Sequence, residues 1–132
     1  PKLKIIYMKT IHTNNAPAAI GPYSQAIEVN GFIFASGQIP IDPSTGNFVE
    51  GGIKEQTKQA ITNAKNILKE AGTDLAHVVK TTVYLANMAD FAAMNEIYAT
   101  FFQQPFPARS AVAVKELPKG ALVEVEVLAY KG

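Results

Sequence analysis

The stretch "FPARSAVAVKELPKGALVEVEVLAY", residues 106 to 130, decides how the sheet of this protein is read. Small and branched apolar residues alternate on either side of "KELPKG", and a period of two marks strands whose side chains point by turns to two faces. Pro118 suits the second position of a tight turn and Gly120 the fourth, so Leu117 to Gly120 is predicted to close a hairpin between the two strands. The register that follows sets Val112 opposite Val125, Val114 opposite Val123 and Ser110 opposite Val127. On the other face Arg109 meets Leu128, Ala111 meets Glu126 and Ala113 meets Glu124. A shift of one residue would mix valine with glutamate across the pair, which favours this register.

The valine face is expected to cover helices. The opposite face carries Arg109, Glu124 and Glu126 among Ala111, Ala113, Leu122 and Leu128. It is too apolar for solvent and too charged for a core, and reads as a subunit interface with polar sites. Along that ladder Arg109 and Glu124 stand four positions apart, roughly 13 Å at about 3.3 Å per residue. Unless a bulge shortens the gap, a small molecule held by both needs a neighbouring subunit to bring one of them, so an oligomer is expected. Glu124 and Glu126 share the face, and the residues alone do not choose between them.

Upstream, "AIEVNGFIFASG" holds two β-rich runs around Asn30-Gly31, a strand, turn and strand over residues 25 to 36. Turn formers in "IDPSTGNFVEGG" precede a segment in which Ile53, Thr57, Ala60, Ile61, Ala64, Ile67, Leu68 and Ala71 recur at helical spacing, with Gly72 suited to a left-handed cap. "HVVKTTVYLAN" supplies a further strand, and Phe91, Met94, Tyr98 and Phe101 mark a second helix ending before Pro105. This order predicts a single-domain α+β fold, a mixed β-sheet with two helices packed on one face.

A chain of 132 residues, 48% hydrophobic and 17% charged, buries one core and not two. The patterned sequence starts near Met8, so residues 1 to 7 read as an N-terminal extension or remnant and residues 8 to 132 as the domain. The net charge of +1, with both signs interspersed, argues against nucleic acid and anionic membranes as partners. With no cysteine there are no disulfides, thiolate nucleophiles or cysteine metal sites. His12 and His77 lack the neighbours a metal site needs, and no phosphate-loop or dinucleotide pattern occurs. No run approaches the roughly 18 to 20 apolar residues of a membrane span, and "PKLKIIYMK" lacks the core of a secretory signal, so a cytoplasmic protein is expected.

Four segments in order resemble the reactive intermediate deaminase family, also called RidA or YjgF: "NAPAAIGPYSQA" at 15 to 26, "SGQIPIDPSTG" at 36 to 46, "VVKTTVYLANMADFAAMNEIY" at 78 to 98, and "FPARSAVAVKELPKGALVEVEVLA" at 106 to 129. The resemblance covers the chain from about Met8 to its end. It implies a chorismate-mutase-like fold assembled as a homotrimer with clefts between subunits. It also implies hydrolysis of reactive 2-imino acids, 2-iminobutanoate and 2-iminopropanoate, to 2-keto acids and ammonia, with neither metal nor organic cofactor.

By the same resemblance Arg109 grips the substrate carboxylate, for which its rigid fork of donors is suited, and Glu124 rather than Glu126 positions the attacking water. Ser36 and Gly37 match the pocket at which a glycine amide meets the carboxylate, Tyr23 matches an aromatic wall or hydroxyl donor, and Asn95 a polar contact. Ala111 matches a substrate-binding position whose backbone contacts the substrate, and departs from the family, many of whose members have cysteine there; its backbone groups are retained and the thiol is lost. Read without the family, Arg109 could be an interface ion pair with Glu126, Tyr23 a core aromatic and Asn95 a helix-face residue. The alternative function is a non-catalytic trimer sensing small carboxylates, and behind it an RNA-directed inhibitor of translation, for which the chain offers no basic stripe or histidine pair.

Overall fold

The computed structural model describes residues 7–131, so residues 1 to 6 of the expected extension lie outside the described residues. The elements are β1 (Lys9–Ile11), β2 (Ala26–Val29), β3 (Phe32–Ala35), β4 (Ile41–Asp42), β5 (Asn47–Phe48), α1 (Ile53–Ala71), β6 (Val78–Leu85), α2 (Phe91–Phe101), β7 (Ala108–Ala113) and β8 (Val123–Tyr130). Asn30 and Gly31 turn between β2 and β3 with φ of 50° and 80°, the left-handed pair that a two-residue hairpin loop requires. β4 and β5 form a small separate ribbon.

α1 follows its apolar stripe. Ala60, Ile61, Ala64, Ile67, Leu68 and Ala71 are buried, and Ile53 at the start is partly so. Each fully buried Ile or Leu contributes about 1.5–3 kcal/mol relative to exposure, so packing rather than propensity holds this helix. Glu55 accepts from the Gly52 N–H at 2.9 Å at the N-terminus, and Gly72 ends the helix at φ 87°. α2 buries Met94 and Tyr98 and packs beside α1 over the same core.

The sheet runs β1-β2-β3-β8-β6-β7, and here the terminal hairpin expected from the sequence does not form. The Leu117 to Gly120 turn is present, with Gly120 N–H donating to the Leu117 carbonyl at 3.2 Å, but β6 lies between the strands it was expected to pair. β6 runs antiparallel to β8, with Val83 opposite Val125 and Leu85 opposite Val123, and parallel to β7, with Thr81 beside Arg109 and Val83 beside Ala111. The physical reason lies in the strands themselves. "VVKTTVYL" is long, β-branched and buried at Val78, Thr81, Val83 and Leu85, which suits a central position. "ARSAVA" is short and rich in alanine, which suits an edge.

The expected face of β8 survives this change and that of β7 reverses. Val123, Val125 and Val127 are buried beneath the helices, with Glu124 and Glu126 on the opposite face. Arg109 aligns with buried Thr81 and lies on the helix side, whereas Val112, expected in the core, is 45% exposed on the open face. That open face also presents Phe32, Phe34, Tyr84, Leu128 and Tyr130.

Candidate active site

The residues singled out in the sequence gather into two clusters on opposite sides of the sheet. The first surrounds Glu124. Past β3 the chain is fixed by the Ser36 N–H donating to the Gln25 carbonyl at 2.9 Å and the Ser36 hydroxyl donating to the Ser24 carbonyl at 2.6 Å. Gln38 and Val125 then exchange backbone hydrogen bonds at 2.8 and 3.0 Å, which sets Gly37 directly against Glu124. A Cβ at position 37 would collide with the Glu124 carboxylate, so the glycine is needed for close approach and not for a left-handed backbone. Among the described residues the Gly37 N–H meets no acceptor.

Glu124 opens onto a cavity of ≈ 400 Å³ whose lining includes Tyr23, Ser36, Gly37, Ile39 and Pro118. Burial first, and the neighbouring Glu126 charge second, hold the Glu124 carboxyl above the usual carboxylate range. The open face thus distinguishes the two glutamates: Glu124 is half-buried against Gly37 and Glu126 is exposed.

The second cluster surrounds Arg109. Its Nη1 donates to Asn95 Oδ1 at 2.7 Å, and its guanidinium carbon lies 4.8 Å from the Tyr98 ring centre and 5.5 Å from that of Phe91. All these partners are neutral, and among the described residues no carboxylate pairs with Arg109. The guanidinium, Asn95 and Tyr98 border a cavity of ≈ 370 Å³ with Phe106 and Pro107. Ala111 lies two positions along from Arg109 on the same side, packed on the core and bordering neither cavity.

Arg109 and Glu124 therefore do not share a face, as the expected hairpin had them. They flank β6 at Thr81 and Tyr84, about 10 Å apart along the strands and about 10 Å across them, with the sheet between their side chains. Arg109 brings a cation and Glu124 a carboxyl beside the Gly37 amide, neither the cation nor the amide being paired among the described residues.

The family model described as Endoribonuclease L-PSP matches residues 13–131. The chain belongs to the Endoribonuclease L-PSP family. A RutC family protein of Pyrococcus abyssi is 58% identical over 123 residues, 93% of this chain and 97% of its own. The 2-iminobutanoate/2-iminopropanoate deaminase of Mus musculus is 54% identical over 127 residues, 96% of this chain and 94% of its own. Among solved structures, a Rid family protein of unknown function from Yersinia pestis superposes with a TM-score of 0.91 at 52% identity, covering 94% of this chain and 99% of that one.

In this L-PSP chain the walls of the Glu124 cavity depend on three buried amides that sequence reasoning passed over. Gln25 Nε2 donates to the carbonyls of Thr13 (3.0 Å) and Pro17 (2.8 Å), and its Oε1 accepts from the Thr13 N–H (2.8 Å). Asn63 Nδ2 donates to the carbonyls of Ile39 (3.2 Å) and Ile41 (2.9 Å), and Gln56 Oε1 accepts from the Leu122 N–H (2.9 Å), two residues before Glu124. A signal was present for two of them: Gln56 and Asn63 fall within the apolar stripe of α1, where a buried amide must find a partner.

Proposed function

We propose that this protein hydrolyses 2-imino acids of the 2-iminobutanoate and 2-iminopropanoate type to 2-keto acids and ammonia, at sites formed where two copies of the chain meet. The observation that carries this reading is the unneutralised guanidinium of Arg109, held by an amide oxygen and two aromatic faces, at the edge of a small cavity. A planar fork of donors that no carboxylate side chain among the described residues engages is suited to a carboxylate. The general base stands on the other side of the sheet, so the second copy completes the site, and the exposed apolar residues of the open face favour self-association, with a homotrimer as the expected assembly.

The chemistry asks little of each group. Arg109, with the Gly37 amide opposite, holds the carboxylate. Glu124 takes a proton from water as its oxygen adds to C2 of the iminium, which gives a neutral carbinolamine. The same proton passes to the nitrogen. The hydroxyl then gives its proton to the Glu124 carboxylate as the C–N bond breaks, leaving the 2-keto acid and ammonia, and the carboxyl returns that proton to water. Imines already hydrolyse in water, and general acid and base assistance of about 10²- to 10⁴-fold is sufficient. RNA cleavage, which the family description names, finds less support: His12 contacts Asn14, and His77 pairs with Asp74 and packs edge-on against Tyr130.

The test lets a threonine dehydratase release its imine in the presence of semicarbazide. Added protein should divert imine from the trap to free 2-ketobutyrate. If trapping is unchanged while the protein still binds 2-ketobutyrate, the clefts sense carboxylates without turnover.

Two expectations concern Glu124. Its ionised form is the base, so the acceleration over the uncatalysed rate should fall as pH drops through a carboxyl value raised by burial. Glu126→Gln, which removes the second cause of that shift, should move the acidic limb of the profile to lower pH. A limb unmoved in Glu126→Gln would show that another group sets it. Gly37→Ala should push the carboxylate aside while costing little stability, because the colliding atoms end a flexible side chain. The acceleration should then fall by about 10²-fold, the scale of a misplaced catalytic group, with an unchanged melting temperature.

A further inference from the structure

Arg109 sits on a short edge strand, where a long side chain has many poses, yet its guanidinium is enclosed on the helix side by Phe91 and Tyr98 of α2. Tyr98 is itself fixed. Its hydroxyl shares a buried 2.8 Å hydrogen bond with Thr81 Oγ1, and Thr81 is the β6 residue aligned with Arg109 in the parallel ladder. Phe102 packs against the Tyr98 ring at 4.4 Å between centres. Strand β6 thus sets the ring, and the ring sets the cation that the neighbouring strand carries.

We propose that Tyr98, moored to Thr81, and Phe91 are positioning residues that hold the Arg109 guanidinium in the plane in which it receives a carboxylate, without neutralising it. A carboxylate in their place would hold the arginine equally well and cancel the charge the ligand needs. Burial raises the Tyr98 phenol above its ordinary value, while Thr81 and Arg109 oppose the shift, so the ring meets the guanidinium as a neutral π-face. Fixing the fork before the ligand arrives removes part of the ordering cost of binding. This role rests on the carboxylate-binding half of the deaminase reading and not on turnover.

Arg109 is the chain's sole arginine, so its side-chain Nε–Hε signal is a single resonance in a ¹⁵N-labelled sample. In the intact protein that signal should be displaced by ring currents and should move on titration with 2-ketobutyrate. Tyr98→Leu should return it toward the position of free arginine and weaken 2-ketobutyrate by about tenfold, the scale of a partly desolvated cation–π contact. Tyr98→Phe, which keeps the ring and loses its mooring, should fall between. Phe91→Leu should give a smaller change of the same kind, and it tests the enclosure should Tyr98→Leu fail to fold. Melting curves separate these effects from loss of structure. Equal losses in Tyr98→Phe and Tyr98→Leu, a displaced resonance with unaltered affinity, or an Arg109 signal that does not respond to 2-ketobutyrate would each overturn the proposal. Binding that behaves as expected without diversion of imine from semicarbazide would instead remove the deaminase reading and leave the positioning role standing.

Discussion

Arg109→Ala should return imine trapping by semicarbazide to its level without protein, the loss of an acceleration of about 10²- to 10⁴-fold. Arg109→Lys should recover little of it, since an ammonium offers a point charge where the site presents a flat fork stacked on two rings. The fold should survive. Among the described residues Arg109 is tied to one amide oxygen and two ring faces and to no carboxylate, so its removal strands no charge among them. A cost of about 1 kcal/mol, read from denaturant melts, is the expected scale for the lost contacts. An Arg109→Ala protein with undiminished activity would end the assignment.

Glu124→Gln should be as inactive as Arg109→Ala when each is assayed alone, and the two should restore activity when their subunits are mixed. The amide matches the carboxylate in size and cannot take the proton from water. It should also melt at or above the temperature of the parent protein at neutral pH. A carboxyl whose value is raised on folding binds its proton more tightly in the folded chain, so its ionised form detracts from stability as pH rises, and glutamine has no such form. Restoration follows from the sheet. With Arg109 on the helix side and Glu124 on the open side, the proposed site would take one residue from each of two chains. In a closed ring of heterologous contacts, an equal mixture should regenerate about one quarter of the sites, those pairing an intact Arg109 with an intact Glu124. Co-refolded oligomers of proven mixed composition that stay inactive would show that the two residues do not meet across an interface.

Much of this architecture was legible in the sequence. The Asn30-Gly31 hairpin, the stripe and cap of α1, the Phe91–Phe101 helix and the buried valine face of β8 each depend on neighbours within a few positions, where period and turn chemistry act directly. The Pro118 turn was legible too, but what it connects was not. Nine residues separate β7 from β8, a span that can step over an intervening strand, and nothing local states whether it does. The buried amide of Gln25 was hidden for the same reason, and for Gln56 and Asn63 the helical stripe marks the burial but not the partners, which lie on other segments.

From the sequence by itself come the α+β class, the alternation that sets Glu124 and Glu126 opposite the valines, and the family to which the chain belongs. These are properties of short periods and ordered motifs. Only the tertiary structure decided that Arg109 faces the helices, that Glu124 is the glutamate pressed against Gly37, and that the two are divided by the sheet. The reason is that a strand's face depends on the partner beside it. Inserting β6 between β7 and β8 gave the long β-branched strand two neighbours, left the short alanine-rich strand at the edge, and turned its arginine to the other side.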